Sequence, residues 1–191
     1  MASEVSSREV SSTRQICYVA FLRGINVGGR KPVRMDALKK VFAEVGFRSA
    51  RTVLASGNVI FEAPETNVDI LARQVEEKLK ETFGYEIGVI VRTAGHLREL
   101  VSSNPFEILR MAPTAKLYVT FLAEQPRSGL KIPYQSPTGA FCILKVTGSE
   151  VFSALDVSGG GRTVDSMTLI EKEFGKKVTT RNWNTINKLL A

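Results

Sequence analysis

The chain has 191 residues, 43% of them hydrophobic and 24% charged, which is the balance of a globular protein rather than a disordered or fibrous one. No apolar run approaches the ~20 residues that span a bilayer, and Met1 to Thr13 lacks the apolar stretch of a secretory signal. The single histidine, His96, excludes multi-histidine metal centres, and the net charge of +7 turns attention to anionic partners.

In chain order, residues 1–14 read as a disordered, serine-rich tail, and the default compartment is the cytoplasm. Ile16 to Leu22 is an uninterrupted run of strand formers, the pattern of a strand covered on both faces. Met35, Leu38, Phe42 and Val45 then recur at helical spacing and Gly46 follows as a stop. Arg51 to Ala55 and Asn58 to Glu62 read as a hairpin around Ser56-Gly57. Val68, Leu71, Val75, Leu79 and Phe83 make the stripe of a second helix ending at Gly84. Glu86 to Arg92 is the next strand, and Leu97, Leu100 and Val101 mark a short helix before Asn104-Pro105. The order β-α-β-β-α-β is that of a ferredoxin-like plait.

The second half follows the same plan with losses. Tyr118-Val119-Thr120-Phe121-Leu122 repeats Tyr18-Val19-Ala20-Phe21-Leu22 one hundred positions later. Prolines 126, 133 and 137 then leave no room for the first helix. Phe141 to Val146 and Glu150 to Leu155 pair around Thr147-Gly148, and Met167, Ile170 and Phe174 mark a helix that stops at Gly175. Lys177 to Thr179 makes a short strand that leads through Thr180-Arg181 to a final helix, as Arg92-Thr93 leads to the earlier one. The expected fold is therefore α+β, two tandem ferredoxin-like plaits from an internal duplication, over 15–104 and 105–191, closely packed. Cys17 and Cys142 fall inside strands and read as small buried hydrophobes; a disulfide is disfavoured in a cytoplasmic protein.

The charge is uneven. Phe21 to Ile60 holds eight Lys or Arg against two acids, whereas Phe61 to Leu100 is net acidic. That basic stretch surrounds Arg23-Gly24-Ile25-Asn26-Val27-Gly28-Gly29-Arg30-Lys31. Its glycines permit backbone N–H groups to converge on an anion, and Arg23, Arg30 and Lys31 add charge. The spacing fits neither the Walker loop nor the dinucleotide fingerprint. A plain strand-to-helix connection, with Pro32 opening the helix, explains the glycines equally well. Ser56-Gly57-Asn58 reads first as a two-residue turn, with Asn58 able to offer an amide to a ligand. In Thr180-Arg181-Asn182-Trp183-Asn184-Thr185, Asn182 is a helix N-cap and the lone Trp183 a core residue. The cluster reads as an inter-lobe lock ahead of a ligand wall. Ser158-Gly159-Gly160-Gly161-Arg162 reads as a loop before a helix cap. Glu76-Glu77 reads as a solvated helix face.

The phrases Arg23-Gly24-Ile25-Asn26-Val27-Gly28-Gly29, Ser56-Gly57-Asn58-Val59-Ile60-Phe61, Asn104-Pro105-Phe106 and Thr180-Arg181-Asn182-Trp183-Asn184-Thr185 resemble a mostly bacterial family known as domain of unknown function family 1697. The resemblance runs from about Ile16 to Leu190 and implies two α/β-plait subdomains, with no established reaction, substrate or cofactor.

Three functions stay open. The leading one is an anion-binding module for a nucleotide, phosphorylated metabolite or nucleic acid. Its expected site gathers Arg23, Gly24, Asn26, Gly28, Gly29, Arg30 and Lys31 with Asn58, Arg181, Asn182 and Trp183. The second is a small-molecule enzyme with a pocket between the lobes, in which Arg23 or Arg181 orients the substrate and Asp156, Asp165 or His96 moves protons. The third is a structural or protein-interaction role. No cofactor or metal is expected, and no membrane.

Overall fold

The computed structural model describes residues 14–26, 32–107, 114–158 and 163–191, with the side chains of residues 163–165 left aside. The expected tail and the loop positions Gly28, Gly29, Arg30 and Lys31 lie outside the described residues, as do Gly159 to Arg162.

The chain is α+β, with two antiparallel sheets and five helices among the described residues. The first lobe runs β1 (Gln15–Leu22), α1 (Met35–Glu44), β2 (Arg48–Val53), β3 (Asn58–Pro64), α2 (Val68–Phe83), β4 (Val89–Thr93) and α3 (Ala94–Ser102). Its strand order is β2-β3-β1-β4. The second lobe runs β5 (Lys116–Leu122), β6 (Tyr134–Gln135), β7 (Phe141–Val146), β8 (Glu150–Leu155), α4 (Thr163–Phe174), β9 (Val178–Asn182) and α5 (Trp183–Leu190). Its order is β6-β7-β8-β5-β9. The repeated strands β1 and β5 hold equivalent places. Phe21 pairs with Asn58 and Val19 with Arg92, while Phe121 pairs with Glu150 and Val119 with Arg181.

Alternation along these strands divides the apolar residues among three cores. Tyr18, Ala20 and Leu22 face α1 and α2, packing with Phe42, Phe61, Val75 and Leu79. Leu122, Val151 and Leu155 face the other way in the second lobe, onto Ile170 of α4. Val19, Phe21, Val119 and Phe121 meet between the sheets in a third core with Ile60, Ile90, Leu97, Phe106, Phe152, Ile186 and Leu189. Phe21 and Phe121 stack at its centre, ring centroids 4.3 Å apart. Each sheet is thus covered on both faces, which is why β1 and β5 read as continuous apolar runs. Burial of a large apolar side chain contributes roughly 1.5–3 kcal/mol, so eleven buried in the shared core bind the lobes far more strongly than any one polar contact.

Several local expectations need correction. Helix α1 starts at Met35 with Arg34 as its N-cap, so Pro32 precedes the helix instead of opening it. The β2–β3 connection is the four residues Leu54 to Gly57, and Asn58 belongs to β3. Strand β9 extends to Asn182, which places Arg181 within the sheet. The proline-rich stretch after β5 holds no helix, as expected, and adds the short edge strand β6. Glu76 is no free surface acid: its Oε1 accepts the Val89 N–H at 2.8 Å.

Gly57 is fixed by conformation and space together. Its φ is +76°, and a Cβ there would fall 2.8 Å from Ile25 Cδ1 and 3.0 Å from Leu22 Cβ. Gly84 has the same left-handed φ, +77°, but opens onto empty space. Gly84→Ala is expected to cost only the left-handed penalty of about 1–2 kcal/mol. Gly57→Ala adds overpacking and should cost at least about 1 kcal/mol more. Urea unfolding of the two variants checks the order, and equal losses would contradict it.

Candidate functional site

The polar features of the lobe interface are built from two arginines at equivalent places on the edge strands. Arg181 of β9 reaches into the first lobe. Its Nε donates to Asn58 Oδ1 at 2.6 Å and its Nη2 to the carbonyls of Leu22 at 2.7 Å and Gly57 at 3.3 Å. Its Nη1 donates to Thr179 Oγ1 and to the Thr180 carbonyl. Arg92 of β4 reaches the opposite way. Its Nε donates to Glu150 Oε1 at 3.1 Å, its Nη2 to the carbonyls of Leu122 at 2.7 Å and Ser149 at 3.2 Å, and its Nη1 to the Val91 carbonyl. Each guanidinium also lies over a ring of the central stack, Arg181 5.6 Å from Phe21 and Arg92 5.7 Å from Phe121. The two contacts are reciprocal clasps that pin the end of one lobe's central strand and its hairpin turn to the other lobe.

The clasps differ in charge. Glu150 is buried and accepts four donors: Arg92 and His96 on Oε1, Thr147 and Ser149 hydroxyls on Oε2. Burial alone would raise its pKa, but hydrogen bonds from His96, Thr147 and Ser149 and the charge at His96 outweigh it and bring the value down to about 2. Arg181 instead faces the amide of Asn58, and no carboxylate among the described residues pairs with it. Burial lowers its pKa to about 10, so it stays charged at neutral pH. All five of its N–H donors are taken by protein acceptors.

Two clefts flank this interface. The larger, about 1360 Å3, lies between α2 and α4 and the edges of β4 and β9. Arg23 lines it, bonded to Glu171 at 2.7 Å; Lys80 is paired with Glu86 and Lys177 with Glu124, while Arg73 and Arg181 also border it and form no ion pair among the described residues. The smaller, about 510 Å3, is lined by Leu22, Gly24, Ile25, Asn26, Leu54, Ala55, Ser56, Thr180, Arg181, Asn182 and Thr185. Arg181 is the one charged group among these described lining residues.

The structure therefore gathers Gly24, Asn26, Arg181 and Asn182 around one cleft, with Asn58 buried beneath it on Arg181. Arg23 lines the other cleft, which Gly24 and Arg181 also border. Trp183 packs away from both, its ring edge-on to Phe106 at 5.1 Å and to Phe152 at 6.2 Å. Asn26, at φ +55°, bridges Val33 N, Val33 O and Ala55 O and so ties both ends of the glycine loop to the β2–β3 turn. Asn182 caps α5 by accepting the Asn184 N–H. His96 bonds Glu150 and Asp156 accepts from Ser158 N and Oγ; neither lines either cleft. Asp165 falls among the side chains left aside.

Arg92 and Glu150 were missed from sequence. Their signal was the repeat itself: Arg92-Thr93 and Arg181-Asn182 each place an arginine before the N-cap of a helix. The correspondence is one residue later than Thr180-Arg181 implied.

Glu150 makes stability depend on pH in one direction. Its folded pKa lies below the ordinary 4.5, so its contribution is full above 4.5 and is lost as pH falls through about 2. Acid unfolding should therefore steepen in that window, and Glu150→Gln should flatten it while lowering stability at pH 7 by about 3 kcal/mol. A variant with unchanged acid sensitivity would remove the assignment. Arg181→Lys, with a point charge in place of a planar fork, should lose about 2–4 kcal/mol by chemical denaturation.

Comparison with known proteins adds the family and the fold. No curated protein matches the chain. The solved structure of the conserved bacterial protein SP0830 from Streptococcus pneumoniae superposes with a TM-score of 0.69 at 17% identity, over 92% of this chain and 97% of that one. At that identity the likeness concerns the fold alone. A family model described as protein of unknown function (DUF1697) matches residues 16–152, spanning the first lobe, the Arg92–Glu150 clasp and the start of β8, and the chain belongs to that family.

Proposed function

We propose that the protein is a binding module for a small anionic ligand, held in the cleft where the glycine loop meets β9 and α5. One observation carries this reading. Arg181 is a buried cation in the wall of a concave pocket, and no carboxylate among the described residues compensates it. A charge in a low-dielectric wall acts at longer range than one in water. Asn26 lines this same cleft, and the sequence that follows it carries Arg30 and Lys31. The larger cleft, which Arg181 also borders, fits an anion less well: six carboxylates line it against five cations, and Arg23, Lys80 and Lys177 are engaged by Glu171, Glu86 and Glu124.

Since the donors of Arg181 are all committed, it acts on a ligand through its field. Direct hydrogen bonds fall to groups at the rim, the Ser56 and Thr185 hydroxyls and the Asn182 amide. The lobes fit descent from one duplicated ferredoxin-like unit, divided near Asn104-Pro105. Strand order, the Phe21 and Phe121 positions and the reciprocal arginines correspond pair by pair. On that view the first copy kept the glycine loop and became the binding half.

Amide and side-chain NMR titration with inorganic phosphate, acetate, adenosine monophosphate and a short RNA at low salt tests the proposal. Saturable shifts at Ser56, Asn182 and Thr185 are expected, weakening as salt rises and in an Arg30→Gln, Lys31→Gln double variant. Silence at those residues with every anion would end it.

A further inference from the structure

The second lobe offers an internal comparison for what the cleft takes. Arg92 and Arg181 occupy equivalent places, and so do the groups around them. Leu122 and Leu22 supply the terminal carbonyl, Ser149 and Gly57 the turn carbonyl. Glu150 stands where the first lobe has Asn58, each paired in register with the stacked phenylalanine. His96 and Thr185 are each the third residue of the helix that follows the arginine. Beside Arg92 this set closes on itself: a carboxylate meets the guanidinium and an imidazole covers the carboxylate at 3.0 Å. Beside Arg181 both positions carry shorter, neutral side chains, and a cleft of about 510 Å3 is found there.

The remaining wall is apolar. Leu22, Ile25, Leu54 and Ala55 line it. Leu54 sits at the rim with φ +61° and 49% of its surface exposed. A left-handed backbone is unfavourable for a bulky side chain, and an apolar ligand body against Leu54 would take its exposed apolar surface out of water.

Resting on the anion-binding reading, we infer that the ligand is a small amphipathic monoanion, one carboxylate head joined to a compact apolar body. The head stands in for the Glu150 carboxylate that the first lobe lacks and meets Ser56, Asn182 and Thr185; the body lies on Ile25 and Leu54. Among the described lining residues the single uncompensated cation, Arg181, matches one negative charge. An extended polyanion needs a track of cations that these described residues do not offer.

The test uses the full chain and a fixed set of probes in calorimetric or NMR titration: hexanoate, phenylacetate and benzoate, then hexanamide, inorganic phosphate, adenosine triphosphate and a short RNA. The expected order is that one of the first three binds at least about tenfold more tightly than any of the others. Thr185→Glu, a half-buried position on α5, places a carboxylate at the cleft and should weaken that binding about tenfold or more with the melting temperature retained. Asn58→Asp recreates the carboxylate pairing from the other side and should weaken it likewise. Tighter binding of phosphate, nucleotide or RNA at the same residues would overturn the amphipathic class while leaving an anion site. Binding of hexanamide equal to hexanoate would overturn the role of charge. No binding by any probe would overturn both readings.

Discussion

A guanidinium buried between two sheets must find an acceptor for every N–H, and that requirement organises the lobe interface. Arg181 meets it with Leu22, Gly57, Asn58, Thr179 and Thr180, and Arg92 uses the equivalent groups of the other lobe together with Glu150. Each arginine belongs to one lobe and draws most of its acceptors from the other. Neither lobe can therefore shift without leaving a buried cation partly unsatisfied, which costs several kcal/mol. The apolar core supplies most of the adhesion; the clasps fix how the sheets are set against each other.

The same residues protect the sheet edges. Arg23 N bonds Gly88 O, and along an antiparallel pair bonding alternates, so Val89 and Val91 turn their backbone groups toward the open edge of β4. Glu76 takes the Val89 N–H and Arg92 the Val91 carbonyl. On β9 the Ala123 N to Lys177 O bond sets the same alternation, and Arg181 takes the Thr180 carbonyl. Unpaired edges invite pairing with other chains. Here the residues that join the lobes also occupy part of those edges, so association and edge protection are one arrangement.

The two clasps share a geometry and differ in chemistry. In one, acid, base and arginine are internal and the site is closed. In the other, a neutral amide and a threonine leave the arginine without a counter-charge beside a cleft. An uncompensated buried cation is costly for folding alone, and the stacked Phe21 ring and five acceptors offset much of that cost without cancelling the charge. The difference between the two clasps, more than either one taken alone, directs attention to the cleft beside Arg181.

Much of this was legible in the residues themselves. Strand β5 and the β7–β8 hairpin fall where apolar runs and a Thr-Gly turn put them, and the prolines after β5 exclude a helix because they lack N–H groups and crowd the preceding turn. Asn182 caps α5 and Trp183 enters the shared core for local reasons a short window can carry. Arg92 and Glu150 escaped because each is ordinary in its own neighbourhood, and the two lie 58 residues apart. Which cleft Arg23 joins, and that Asn58 is a buried bridge more than a turn residue, also followed from long-range contacts. The sequence by itself determined the elements and the doubled frame, since periodicity and turn chemistry act within a few residues. Only the tertiary structure decided which charges are neutralised, because pairing across two lobes depends on distances that no local pattern encodes.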